Sequence, residues 1–89
     1  MSASALLESK IKDFFDGDVA YVRVTDESGG GCDGGKFSAL IVSNRFVDVP
    51  LLDRHKLVNE AIAAELRTIH AWSQKTWTVE QWEAKGKPQ

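Results

Sequence analysis

The sequence contains one cysteine, Cys32, among its 89 residues. A single thiol excludes an internal disulfide and any zinc or iron–sulfur site built from several cysteines of this chain alone. It also fits a reducing compartment better than a secreted one. An excess of basic residues is missing too: 11 Lys+Arg face 13 Asp+Glu, for a net charge of -2. That balance argues against a protein held on nucleic acid mainly by non-specific electrostatics. No run approaches the roughly 18 apolar residues of a membrane-spanning helix. The N-terminus lacks a charged-then-apolar signal pattern, and Glu8 and Asp13 are out of place in a transit peptide. There is no internal repeat and no long linker. The expectation is a soluble, cytoplasmic protein with no membrane partner, the nucleus being a second compartment. One domain should span residues 1–89, with its core at about 5–84 and a frayed polar tail at 85–89. A domain this small buries only about 60–65% of its unfolded surface, so its core must be economical.

What is present divides into readable elements. Ala5–Phe15 predicts a helix, with Leu7, Ile11 and Phe14 on one stripe, Leu6 and Phe15 flanking it, and Gly17 as a stop. Glu8 and Lys12 stand at the favourable i, i+4 spacing. Val19–Asp26 alternates, with Ala20, Val22 and Val24 on one face, and Lys36–Asn44 does the same with Phe37, Ala39 and Ile41. Between them Ser28–Gly35 holds five of the seven glycines, which predicts a long hairpin loop. After Pro50, Leu51, His55, Val58, Ile62, Leu66 and Ile69 step at helical spacing, compatible with one long helix or two shorter ones. Gln74–Trp77 predicts a short strand. Thr78-Val79-Glu80-Gln81 has the form of a capping box that opens a last helix. Trp77 and Trp82 are expected to cover the core, and Trp72 to be exposed beside His70. The order is α-β-β-α(α)-β-α, an α+β domain with a three-stranded sheet and helices on one face.

Several patterns carry possible chemistry. Gly29-x-Gly31-x-x-Gly34 matches the dinucleotide fingerprint, and Gly30-x4-Gly35-Lys36 matches most of a P-loop. Both motifs work only where the loop opens a helix whose N-terminus receives phosphate. Here the loop leads into a strand, and Phe37 stands where magnesium needs Ser or Thr. Cys32 lies among glycines that cannot bury it, so its thiol is a candidate for metal ligation or redox chemistry. His55 falls on an apolar helical stripe and reads as a partly buried, hydrogen-bonded residue. His70 stands where that helix should end, serving either the negative end of the helix dipole or a metal. A nucleophilic Cys32–His70 pair lacks the rigid pocket and orienting third group that catalysis requires. The chain is therefore not expected to be an enzyme.

Four blocks of residues go further. Asp26-Glu27-Ser28-Gly29-Gly30 with Cys32 and Lys36-Phe37, Leu52-x-Arg54-His55-Lys56-Leu57-Val58-Asn59, Ile69-His70-Ala71-x-Ser73-Gln74-Lys75-Thr76, and Thr78-x-Glu80-Gln81-Trp82 closely resemble the BolA family, in its cysteine-loop branch. The resemblance runs from about Leu6 to Glu83. It implies a class II KH-like α-β-β-α-α-β-α fold, with segment 51–69 as a helix–turn–helix. It also implies a heterodimer with a monothiol, CGFS-type glutaredoxin, bridged by a [2Fe-2S] cluster to which glutathione is a further ligand. By position, His70 matches the family's C-terminal histidine ligand and Cys32 the loop ligand. Replacing a thiolate with neutral imidazole reduces negative charge at a cluster and raises its potential. Two departures stand out. The branch usually reads Gly-Cys-Gly-x before the second strand, whereas Cys32-Asp33-Gly34-Gly35 makes this loop about one residue longer. The Gly-x-x-Gly turn of RNA-binding KH domains is absent between the helices.

The resulting expectation is a non-enzymatic adaptor in cluster assembly, trafficking or iron-homeostasis signalling. Alone, the chain should be a monomer that binds no cofactor, because one thiol and one imidazole cannot complete a four-ligand cluster. With a glutaredoxin it should share the cluster through His70 and Cys32, and Arg54, Lys56 and Lys75 are the candidate docking residues. The rival reading is a DNA-binding transcriptional regulator that uses the helix–turn–helix face with Lys56, Arg67 and Lys75.

Overall fold

The computed structural model describes residues 3–27, 35–69 and 71–88. Helix α1 (Ala3–Phe14) leads to strands β1 (Tyr21–Asp26) and β2 (Lys36–Val42), and a 3-10 turn at Asn44–Phe46 follows. Helices α2 (Leu51–Ala61) and α3 (Ala63–Leu66), strand β3 (Ala71–Trp77) and helix α4 (Val79–Ala84) complete the chain. The strands form one sheet in the order β1-β2-β3. β2 is antiparallel to β1 and parallel to β3. A parallel partner must be reached by a crossover, and α2 and α3 supply it.

Alternation sorts the strand side chains onto two faces. Val22, Val24, Phe37, Ala39 and Ile41 are buried on one face, where they meet Leu7, Ile11 and Phe15 of the α1 segment and Val58 and Ile62 of the crossover. The α1 stripe is therefore Leu7–Ile11–Phe15, one position out of phase with the expected one: Phe14 is 40% exposed and Phe15 is 2% exposed. The helix ends at Phe14 and the chain turns left-handed at Asp16 (φ 53°) and Gly17 (φ 78°). Phe15 precedes that turn: its N–H still donates to the Ile11 carbonyl at 3.2 Å, so it continues the i, i+4 stripe inward and meets Phe46 edge-on with ring centroids 5.5 Å apart.

Segment 51–69 is two helices, as the family resemblance implies. Ile62 breaks the helical path at φ -120°, ψ 26° while its side chain stays fully buried. α3 is a single turn. Glu8 does not act chiefly as a partner for Lys12; its Oε2 accepts the Val24 backbone N–H at 2.9 Å, which ties α1 to the edge strand β1.

The second face of the sheet carries Tyr21, Val42 and Trp77 at one end. Val42 is fully buried there yet lies outside the main core, and Trp82 of α4 stacks on Tyr21 with centroids 5.4 Å apart. α4 therefore closes the end of the face opposite α1 and α2. The capping box expected at Thr78 forms in full: Gln81 N–H donates to Thr78 Oγ1 at 3.1 Å and Thr78 N–H to Gln81 Oε1 at 3.0 Å. The tail does not run free at Lys85. The Trp82 indole N–H donates to the Pro88 carbonyl at 2.9 Å, and Lys87 N–H to the Trp82 carbonyl at 2.9 Å. Trp72 belongs to the core side and packs against the buried cluster, with its Nε1 buried and unpartnered among the described residues.

Candidate functional site

Because β2 and β3 are parallel, their N-terminal ends lie side by side, and the antiparallel β1 brings its C-terminal end to the same place. Lys36 pairs with Ala71, Phe37 with both Asp26 and Trp72. The Ala71 N–H donates to the Gly35 carbonyl at 3.2 Å, and Glu27 N–H to the Lys36 carbonyl at 2.7 Å. One end of the sheet thus collects both ends of the glycine-rich loop and the start of β3. The two candidate ligands, Cys32 and His70, lie outside the described residues. Their described chain neighbours converge on this end: Gly35 follows the loop, and Ile69 and Ala71 flank position 70.

The surroundings of this end are described. Ile69 packs against the core, so the chain entering position 70 is anchored by burial. A cleft of ≈ 390 Å³ opens beside it, between the start of α1 and the end of the crossover, lined among others by Leu6, Asp26, Gly35, Phe37, Thr68 and Ile69. Glu65 also borders it. The Lys10 ammonium hydrogen-bonds the Glu65 carboxylate and holds its pKa below the usual carboxylate value, against the opposing effect of burial. No group of three or more His, Cys, Asp or Glu side chains that could hold a metal ion occurs among the described residues. His55 sits half-buried on α2, and its carbonyl accepts from Gln74 Nε2 at 3.5 Å.

The cations proposed for docking do not make one surface. The Arg54 guanidinium is committed within the fold. Its Nε donates to the Val49 carbonyl at 2.8 Å, and one terminal nitrogen to the Thr76 carbonyl at 3.1 Å and Gln81 Oε1 at 2.9 Å. It also lies 5.8 Å from the Phe46 ring centroid. Arg54 therefore fastens the α2 entrance to the end of β3 and the α4 cap. Lys56 is exposed on α2 and Arg67 is exposed after α3. Lys75 is exposed on the face of the sheet opposite α2, since its neighbours Gln74 and Thr76 take the core face. Neither Arg54, Lys56 and Lys75 nor Lys56, Arg67 and Lys75 are brought together. Strand alternation in β3 already carries the signal that Lys75 and Gln74 point to opposite sides.

Comparison with known proteins places this architecture. The family model described as BolA-like protein matches residues 18–81. Mouse BolA-like protein 2 is 44% identical over 82 residues, covering 92% of this chain and 91% of its own length. The crystal structure of a bol-like protein from Babesia bovis superposes with a TM-score of 0.83 at 43% identity, over 97% of this chain and 95% of that one. The Escherichia coli protein named DNA-binding transcriptional regulator BolA is 38% identical over 48 residues, 53% of this chain and 46% of that protein. With its sheet order, its two-helix crossover and this extent of shared sequence, the chain belongs to the BolA family.

Proposed function

We propose that this protein is a non-enzymatic adaptor that shares a bridging [2Fe-2S] cluster with a monothiol glutaredoxin, through His70 and Cys32. The observation that carries the reading is the Ala71-to-Gly35 hydrogen bond at the start of the parallel β2–β3 pair. Position 70 directly precedes Ala71, and position 32 lies three residues before Gly35; three residues of chain span at most about 10 Å. A thiol and an imidazole carried on those two segments can therefore address one metal centre. The donor set fits half of a cluster. The chain has one cysteine and two histidines, and His55 is on α2, away from this end of the sheet. Two ligands must then come from elsewhere, which the partner's cysteine and glutathione supply. When bound, the cluster brings iron–sulfur electron-transfer chemistry; this chain contributes one thiolate, one imidazole and a surface beside them. The duplex-DNA reading has less support, because α3 is one turn long and Lys75 faces away from α2.

Co-expression with a monothiol glutaredoxin tests the proposal by visible circular dichroism and by iron and sulfide analysis of the purified complex. The expected result is a red-brown heterodimer that His70→Ala damages more than Cys32→Ala. Ile69 and Ala71 are held by core packing and strand pairing, whereas Cys32 rides on glycines that lose about 1–2 kcal/mol of backbone entropy per residue fixed. A complex without iron, or a stoichiometric cluster on the isolated monomer, refutes the assignment. A cluster that survives His70→Ala but not Cys32→Ala reverses the ligand ranking.

A further inference from the structure

The face of the sheet opposite α1 and α2 is ordered in rows. Tyr21–Val42–Trp77 form one, Arg23–Leu40–Lys75 the next, and Thr25–Ser38–Ser73 the third. The first row is capped at its Tyr21 end by Trp82 of α4, while Trp77 at its other end stays partly exposed. The other two line a cleft of ≈ 420 Å³ bounded by Trp77 and Pro88, and no carboxylate lines it. Strands stand about 4.8 Å apart, which puts Arg23 and Lys75 at a separation of about 10 Å across Leu40. Both are exposed, and neither forms an ion pair among the described residues. At the α4 end Lys85 Nζ lies 5.2 Å from the Trp77 ring centroid, and Lys87 Nζ lies 5.7 Å from that of Trp82 while pairing with the Glu83 carboxylate at 3.9 Å. A chain of net charge -2 thus gathers Arg23, Lys75 and Lys85, none of them in an ion pair among the described residues, on one side of the sheet, next to a row of hydroxyls and a partly exposed indole.

We infer that this face binds single-stranded nucleic acid. Arg23 and Lys75 neutralise phosphates, Thr25, Ser38 and Ser73 hydrogen-bond phosphate or sugar oxygens, and Trp77 offers a stacking surface to an unpaired base. A duplex keeps its bases paired and stacked, and so offers Trp77 no unpaired base. An acidic peptide would satisfy the cations but would leave the indole unused, and extended peptides are more commonly captured along a sheet edge by backbone pairing. The inference needs neither Cys32 nor His70 and stands apart from the cluster proposal.

The test is fluorescence anisotropy of the full chain with a labelled oligothymidylate of about 12 nucleotides, run beside a duplex of the same length and polyglutamate. Binding should favour the single strand, quench tryptophan fluorescence, and weaken with salt at a slope of about -0.7 per phosphate neutralised. The double variant Arg23→Glu/Lys75→Glu should lose affinity about tenfold or more. The neutral pair Arg23→Gln/Lys75→Gln should flatten the salt slope by about 1.4, two phosphate contacts' worth. Lys56→Glu, on the solvent side of α2, should bind as wild type. Melting curves establish that each variant is folded, and the glutamine pair decides the question if the glutamate pair is not. Absence of binding at low salt, equal affinity for duplex or polyglutamate, or equal loss in Lys56→Glu overturns the inference.

Discussion

Replacing Arg54 should destabilise the fold itself and leave a partner's affinity for the folded protein almost unchanged. The guanidinium makes three hydrogen bonds, to the Val49 and Thr76 carbonyls and to Gln81 Oε1, and lies over Phe46. At about 1 kcal/mol net for each bond and about 0.5 kcal/mol for the ring contact, the gross contribution is near 3.5 kcal/mol. Ordering a long side chain costs about 1.5 kcal/mol of rotamer entropy, which leaves about 2 kcal/mol lost in Arg54→Ala. For a domain of this size that is a fall of about 8–16 °C in Tm, at roughly 4–8 °C per kcal/mol. Arg54→Lys should recover less than half, because a point-charge ammonium cannot reach three acceptors in the geometry of a planar fork. Urea and thermal denaturation, followed by circular dichroism and tryptophan fluorescence, measure both. An Arg54→Ala protein within about 0.5 kcal/mol of wild type, the scatter expected of a neutral surface substitution, would refute the reasoning. If that protein also failed to bind the proposed glutaredoxin partner, to which wild type binds in the same assay, Arg54 would be a docking residue after all.

Three further outcomes follow from packing and charge. Phe46 is fully buried between Phe15 and Arg54, so Phe46→Ala should cost about 3–5 kcal/mol, against less than about 1.5 kcal/mol for Phe46→Leu, by denaturant midpoint. Thr78→Ala removes one half of the capping box and should cost about 1 kcal/mol, while Thr78→Ser should retain most of it. Lys10 lowers the pKa of Glu65 in the folded state relative to its ordinary value of 4.5. The pair's contribution is therefore present above about pH 4.5 and is lost as pH falls through the lowered folded value. A Lys10→Met/Glu65→Gln double-mutant cycle should give a coupling of about 0.5–1 kcal/mol at pH 7 that vanishes under acid. A coupling unchanged at pH 2.5 would show that it is not carried by the Glu65 charge.

What the linear sequence determined by itself is local. The order of helices and strands, the capping box at Thr78 and the stop near Gly17 depend on residues within a few positions of one another, and they were legible for that reason. The blocks around Arg54-His55-Lys56 and Ile69-His70-Ala71 identified the family, and with it the two-helix crossover that periodicity left open: Ile62 bends the backbone while its side chain stays in the core, so the apolar stripe runs on unbroken through the kink. Tertiary structure decided everything that depends on register and on distant partners. Packing against Phe46 and the sheet selected Phe15, four residues after Ile11, over Phe14, three after it, for the core. Burial beside β1 gave Glu8 a backbone N–H to accept in place of a neighbouring lysine. Arg54 looked free because its three acceptors come from two other parts of the chain, at the end of β3 and in α4, as well as from the loop just before α2. Lys56 and Lys75 read as one basic patch until strand pairing set them on opposite sides of a sheet. The same pairing placed Arg23 and Lys75 in one row, although 52 positions separate them in the chain. A parallel β2–β3 register also brought Gly35 to Ala71, a hydrogen bond that no local pattern encodes, because only the packed crossover fixes where β3 comes to lie.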